Sequence, residues 1–472
     1  MAAETQAAAP RWVTPLVFVA LAIASVAPIR SYDYFWHLAA GRWIVEHHAL
    51  PLIDPFGVAS ARVPWIDGEW LFQIIVYGLG RVAGHSGVSI ALAIGTAAAF
   101  ATMFSIVSRE IGMFLAAPVI VVSWYGAAGW LRERPSAMGA FALIALLVIM
   151  MRTSGWLRVA GVFAVTALWM NMHPSALIAP AVVALYEIGG ARDWRTVMAS
   201  AAALFVNPYG LEGITAPIHL ARIVPAFHNE EWSASTPGEF PLFFAVLLTA
   251  TALYFFGRRR DVSRALVLLL LAVLAIRYCR NQGLFYAALP LLVAGFVRPV
   301  EQRVQKLAAA AAAIAFVSVC TDAYFSAGID ARKFPVAAVT RLRDARLSGN
   351  IYTPYSLGGF LIWNFYPERR VVTDGRNELY VEYNSEHALA MRDSRAWHAL
   401  IRRYDLRLAL FDYQRPPIQV IDPRTRRAVI VPAFAVYFPR REWALIAIDR
   451  VAMVFARRDA FPPERLASIE IR

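Results

Sequence analysis

The first two thirds of the chain is a succession of apolar runs with short polar breaks between them. Most runs are free of acids and bases for roughly 17 to 25 residues, enough to cross about 30 Å of hydrocarbon as a helix. Read with a window of about 19 residues, the pattern predicts twelve helices, near 12–29, 68–84, 87–107, 113–130, 136–151, 156–170, 174–188, 194–207, 240–256, 264–277, 283–297 and 307–325. Two polar, aromatic stretches interrupt this rhythm, 30–67 and 208–239. Both are too long for tight connections, and long connections are where binding and catalytic side chains gather. Beyond about residue 330 the periodicity changes to that of an α/β domain, with strands at 350–355, 370–373 and 406–412 and a helix at 395–404. A hairpin of 443–448 with 451–457 turns at Asp449-Arg450. The predicted fold class is a polytopic α-helical membrane protein, with 1–328 as transmembrane domain and 329–472 as soluble α/β domain.

Composition narrows this further. With 59% hydrophobic and 17% charged residues and a mean hydropathy of +0.50, the chain departs from soluble enzymes, which run near half apolar and a quarter charged. A β-barrel would alternate over short segments, and these runs are continuous. The net charge of +13 forms no basic stripe interleaved with aromatics, which argues against nucleic acid. It orients the chain instead. The basic stretches 257–264 and 298–306 belong in the cytoplasm, so 208–239 and 329–472 face outward. Twelve full crossings would contradict that orientation. The breaks at Arg132–Pro135 and Asn171–Pro174 therefore read as half-crossing helices lining a cavity, and the total becomes odd, 11 or 13. Two cysteines, Cys279 and Cys320, specify neither a disulfide framework nor a zinc site. The first run lacks a basic n-region and a cleavage site and reads as a retained helix.

Candidate chemistry concentrates in the long connections. The first opens with Ser31-Tyr-Asp-Tyr-Phe-Trp-His-Leu38 and closes with Pro64-Trp-Ile-Asp67-Gly-Glu69-Trp70. Asp33, just past the first helix, is placed to take a proton from an acceptor hydroxyl at the edge of a low-dielectric cavity. The alternative is interfacial: Tyr32, Tyr34, Trp36, Trp65 and Trp70 form an aromatic belt and Asp33 caps a helix. His173 reads as a substrate contact, a metal ligand or a buried histidine bonded to a neighbouring helix.

The order of parts resembles the GT-C type of integral-membrane glycosyltransferases that use polyprenyl-phosphate sugars, a group that includes protein O-mannosyltransferases and the lipid A aminoarabinose transferase. The resemblance to a poorly characterised bacterial subgroup rests on Asp33, Phe35-Trp36, His37-Leu38, Gly41, Pro51 and Asp54-Pro55-Phe56. It extends to Arg134-Pro135, Asn171-Met172-His173, Asn207-Pro208-Tyr209-Gly210, Glu231-Trp232, Arg280-Asn281, Gly358-Gly359 and Asp374-Gly375-Arg376. One departure is that Asp33 is followed by Tyr34 where the better-known pattern has an Asp-Glu pair. The resemblance implies Asp33 as catalytic base, and His37, Asp54, Asp67, Glu69, His173, Glu231 and Trp232 as substrate contacts. Arg277, Arg280 and Arg134 would hold the donor phosphate, a role for which a guanidinium fork suits the charge growing on a leaving phosphate; a snorkelling arginine at a headgroup is the competing reading. Some such enzymes use a divalent metal ion and some do not, and here Asp33, His228 and Glu231 are its candidate ligands. Asp374-Gly-Arg-Asn reads first as a turn.

The implied function is transfer of a sugar from a polyprenyl-phosphate donor to a hydroxyl acceptor on a glycan, lipid or protein, at the outer face of a bacterial inner membrane. A non-catalytic flippase or transporter of lipid-linked saccharide, or an envelope assembly factor, fits the same residues.

Overall fold

The computed structural model describes residues 9–223, 230–257, 260–297, 300–322, 325–412, 415–421 and 425–471. The chain forms two compact units: Met1–Ile29 with Ile66–Gly328, and Arg30–Trp65 with Ile329–Arg472. The chain is mostly helical, and its sheets lie in the C-terminal part.

The first unit is made of helices, and each predicted apolar run contributes one. The runs at 68–84 and 87–107 follow one another within Trp70–Ile111 as two helices that meet at a kink, where Gly84 leaves the helical region at φ 65°. Glycine adopts such a φ without a Cβ penalty. Among the described residues three helices are long and apolar enough to cross a membrane, by length and composition alone: Trp70–Ile111, Pro135–Arg152 and Gln302–Thr321. The two breaks read from the sequence are breaks in the backbone. Arg134 takes the extended conformation expected before a proline and Pro135 opens the next helix. After Asn171, a 3₁₀ turn Pro174–Ile178 leads into Ala179–Ile188, and Trp194–Ala203 follows. These last two helices have 10 residues each, about 15 Å at 1.5 Å per residue. The helix Gln282–Val293 is buried at all of its positions. A helix apolar all round belongs at the centre of a core, and here it packs against Met113–Ala128, Pro135–Arg152 and Val262–Arg277. Arg264 is largely neutralised within the unit, by Glu110 at 2.9 Å and Asp261 at 3.1 Å; residues 258–259 and 298–299 of the two basic stretches lie outside the described residues.

The second unit joins the stretch 30–65, read from the sequence as a loop of the transmembrane domain, to the C-terminal residues. Its strands are β1 (Asn350–Tyr352), β2 (Leu406–Phe411), β3 (Ile418–Ile421), β4 (Ala428–Val431), β5 (Trp443–Ile448) and β6 (Met453–Arg457). The main sheet has the order β1-β2-β6-β5, parallel between β1 and β2 and antiparallel elsewhere, while β3 and β4 form a separate hairpin. The β5–β6 turn closes as predicted at Asp449, whose carboxylate accepts from the amides of Val451 and Ala452 and also from Ala338 N at 2.9 Å, the start of helix Val336–Asp344. The strand expected at 370–373 is reduced to bridges, Val371 pairing in parallel with both Ile351 and Gly57. The latter bridge brings the 30–65 stretch to the sheet edge. Helix Tyr34–His47 lies on helix Gly358–Phe365, and Phe35 meets Phe334 and Phe360 edge to face at 4.9 and 4.7 Å.

Candidate functional site

Four of the sequence motifs meet in the first unit, those of Arg134, His173, Glu231 and Arg280. Arg134, held at the start of its helix by Pro135, reaches Glu231 Oε1 with Nη1 at 2.5 Å. Glu231 sits on a 3₁₀ turn, Glu230–Trp232, and Arg280 on another, Cys279–Asn281. The two turns are stitched together: Cys279 N donates to Ser233 O at 2.9 Å, and Gln282 Nε2 donates to Ser235 Oγ at 2.8 Å. That stitching sets the Arg280 guanidinium 4.7 Å from the centre of the Trp232 ring, a favourable cation–π placement. His173 caps the 3₁₀ turn behind it, Nδ1 accepting from Ser175 N at 3.1 Å, while Nε2 stands 3.9 Å from Glu69. Trp130, Arg134, His173, Glu231, Arg280 and Asn281 together line a cleft of about 450 Å³, counting the part open to solvent. Two guanidinium groups lining one cleft, with an aromatic ring against one of them, make a site suited to a phosphate group.

The neighbouring motifs have structural work. Asn171 accepts from Trp70 Nε1 at 2.9 Å and donates to Val206 O at 2.6 Å, so it ties three segments of the unit. Asn207 closes the turn that ends at Gly210. Trp70, Leu168, Asn171, Phe205, Val206 and Pro208 border a second, open and mostly apolar groove of about 920 Å³. Asp67 is buried and accepts from Gln73 Nε2 at 2.8 Å and Glu69 N at 3.2 Å, shaping the start of the long helix. Arg277 is exposed over the Tyr278 ring and does not line the cleft. His228 lies outside the described residues.

The remaining motifs gather in the second unit. Asp54 and Arg376, far apart in sequence, form a fully buried ion pair at 2.8 Å. Arg376 also grips Asp374 through Nη2 at 2.5 Å and Nε at 2.8 Å. Asp54 accepts in addition from the amides of Phe56 and Gly57 and from the Ser60 hydroxyl. The Tyr380 hydroxyl donates to Asp374 at 2.6 Å. Rings of Trp65, Phe56 and Trp36 surround the guanidinium at 4.5, 5.3 and 5.6 Å. Burial works against the Arg376 charge, but the Asp374 and Asp54 carboxylates outweigh it and hold its pKa well above the ordinary value. Asp54, expected to touch substrate, thus spends its oxygens inside the fold, and the aromatics expected at a bilayer surface, Tyr34, Trp36 and Trp65, are buried. His37 is buried too, its ring 3.6 Å from that of Trp36.

Asp33 stands at the margin of this knot. It immediately precedes helix Tyr34–His47 without a side-chain cap bond, and Oδ1 accepts from Trp36 Nε1 at 3.3 Å. Burial, reinforced by Asp374 and Asp33 against the pull of a backbone hydrogen bond and Arg376, pushes the Glu378 carboxyl up. Sequence reasoning missed Glu378, Tyr355 and Asn377, whose only signal was their closeness to the Asp-Gly-Arg element.

Of the candidate metal ligands Glu231 is engaged by Arg134, and among the described residues no group of three or more His, Cys, Asp or Glu is placed to hold an ion.

No family model and no curated protein matches the sequence. Solved structures do match. The archaeal oligosaccharyltransferase AglB from Archaeoglobus fulgidus, in complex with an inhibitory peptide and a dolichol-phosphate, is similar at a TM-score of 0.60 and 9% identity, over 89% of this chain and 74% of that one. The apo form of the Archaeoglobus fulgidus enzyme gives 0.57 at 9% identity, over 85% and 69%. The same enzyme tethered to an acceptor peptide containing the NVT sequon gives 0.57 at 10%, over 89% and 74%. The chain has the GT-C fold of these transferases.

Proposed function

We propose that this chain is a polytopic membrane glycosyltransferase that moves a sugar from a polyprenyl-phosphate donor to a hydroxyl acceptor at the outer face of a bacterial inner membrane, with residues 329–472 in the periplasm. The observation that carries the reading is the convergence of Arg134, His173, Glu231 and Arg280 on one cleft, with the Trp232 ring against Arg280, within a GT-C fold. The dolichol-phosphate in a structure of the same fold favours a lipid-phosphate donor.

In the proposed step the acceptor oxygen attacks the anomeric carbon as the bond from that carbon to the phosphate oxygen breaks, so a single displacement inverts the centre. The acceptor proton passes to Asp33. The departing phosphate changes from diester to dianionic monoester, and Arg280 and Arg134 neutralise the charge that grows on it. A group poised to neutralise charge that appears only in the transition state speeds the chemical step, where one that merely binds the donor does not.

The test is turnover by membranes containing the full chain, with a panel of labelled undecaprenyl-phosphate hexoses and pentoses, read as release of undecaprenyl phosphate. Asp33→Asn should express and insert normally and lose on the order of 10²- to 10⁴-fold in rate, the share of a general base. A folded Asp33→Asn protein with wild-type turnover removes Asp33 as base. Tight donor binding with no turnover of any donor favours a lipid-saccharide flippase.

A further inference from the structure

Three glycines let the C-terminal residues of the second unit lie close to one another and to the Asp33 segment. At Gly358 a Cβ would stand 2.0 Å from the carbonyl oxygen of Thr373, so that glycine is required for the chain to pack on itself. At Gly359 it would come within 3.1 Å of Trp36 N and Tyr32 O, backbone against backbone. Gly375 differs. The first atom its Cβ would meet is Oδ1 of Asp33, at 2.6 Å, followed by the Trp36 indole nitrogen at 3.3 Å. Its φ lies outside the left-handed region, so backbone conformation does not call for glycine there.

The turn that carries Gly375 is clamped on both sides. Asp374 and Arg376 are fixed in the buried ion pairs, and the Tyr355 hydroxyl donates to Gly375 O at 3.0 Å while accepting from Asn377 Nδ2 at 3.0 Å. A side chain added at 375 therefore meets the Asp33 carboxylate first and the Trp36 indole behind it. We propose that Gly375 is the seat of that carboxylate: the missing side chain leaves the space in which Asp33 settles with Oδ1 toward the Trp36 indole, and the rigid Asp374–Arg376 turn fixes its direction. Gly375 is a positioning residue, and the Asp-Gly-Arg element serves transfer through Asp33 by aiming it. This rests on the reading of Asp33 as the base.

Gly375→Ala in the full-length membrane protein tests it. The methyl group forces the Asp33 carboxylate to rotate away, and misplacing a reacting group by about 1 Å lowers rate on the order of 10²-fold. The expected result is a melting temperature and an undecaprenyl-phosphate affinity close to wild type, with kcat down on the order of 10²-fold and the donor KM unchanged. Carbodiimide labelling of Asp33, followed by mass spectrometry, should change several-fold. In the Asp33→Asn background the alanine should add no further loss. Unchanged labelling in a folded Gly375→Ala protein overturns the proposal, and so do losses that multiply in the double variant. If Asp33→Asn alone keeps full activity, the reading of the base fails, and labelling still decides whether Gly375 seats the carboxylate. If Gly375→Ala does not fold, Tyr355→Phe replaces it, freeing the Gly375 carbonyl without adding an atom: altered Asp33 labelling and a smaller loss in kcat support the seat, and wild-type values of both overturn it.

Discussion

Arg376 and Arg134 are the same side chain facing the same kind of partner, and the two units use them in opposite ways. Arg376 has a side-chain exposure of 1%, two carboxylates with exposures of 0% and three aromatic rings around it. Each of its three guanidinium nitrogens donates to a carboxylate inside the second unit. Arg134 meets the Glu231 carboxylate, keeps 25% of its side chain exposed, and lines a cleft shared with Arg280. Both belong to short Arg-containing motifs, so the motif alone does not separate a rivet from a binding group. Burial together with saturation of donors and acceptors does. A charge removed from water needs every partner in place, whereas one at the mouth of a cleft can exchange a partner for a ligand.

The sharpest break of this comparison is to truncate each arginine in turn. Arg376→Ala leaves Asp54 and Asp374 buried without their countercharge, and removing one member of such a set costs about 3 to 5 kcal/mol, a large part of a domain's whole stability. Arg376→Ala should therefore accumulate poorly and be cut readily by protease in its C-terminal part, as seen by limited proteolysis of membranes. Arg134→Ala breaks a half-exposed pair, worth about 1 kcal/mol or less, and should accumulate normally and melt near the wild-type temperature. Equal proteolytic sensitivity in the two variants would dissolve the distinction.

What the sequence made legible follows the same division. The helices of the first unit were readable because each apolar run is a local signal, and the breaks before Pro135 and Pro174 because proline acts on its neighbours. The bend at Gly84 was not, since a lone glycine between apolar runs marks a gap as readily as a kink. Arg134 and Arg280 were recognisable as groups able to hold a phosphate, and Glu231 and Trp232 as substrate contacts implied by the resemblance, while the meeting of Arg134, Glu231 and Arg280 with His173 is non-local and had to come from the structure. In the second unit Asp374-Gly-Arg was readable as a turn, but its ion pair with Asp54 spans 322 positions and leaves no periodic trace. For that reason Asp54 looked like a substrate contact, and the stretch 30–65 looked like a loop of the helical part. The β5–β6 hairpin was legible from the Asp449 turn, while β3 and β4, four residues each, are too short to announce themselves.

A second sharpening stays within the first unit. Arg280 and Arg277 are three positions apart, yet one lines the cleft beside Trp232 and the other is exposed over Tyr278. Losing a charged hydrogen-bonding partner of a phosphate is worth about 1.5 to 3 kcal/mol. Arg280→Ala should accordingly weaken undecaprenyl-phosphate binding about 10- to 100-fold, measured by thermophoresis in detergent or nanodiscs. Arg277→Ala should stay within about threefold of wild type, the effect of an exposed charge. If Arg277→Ala has the larger effect, the phosphate lies outside the cleft.

The smallest expected effect concerns a neutral group in the second unit that behaves as the charged knot does, by being buried and bonded. His387 Nε2 and the Tyr352 hydroxyl are 2.9 Å apart, and burial, with Arg415 adding to it, lowers the His387 pKa to about 4. In the unfolded chain the same imidazole titrates near 6.5. Below that pH the unfolded state takes up a proton that the folded state refuses until about pH 4, so the stabilising contribution is complete above pH 6.5 and fades as pH falls through this window. Between pH 7 and 5.5 the loss is about 1 kcal/mol. His387→Gln keeps a hydrogen-bonding group and removes the titration. Its melting temperature should be lower than wild type at pH 7 and fall less steeply toward pH 5.5. The measurement is a pair of melting curves at the two pH values for each protein, and parallel slopes would show that His387 does not carry the acid sensitivity of this unit.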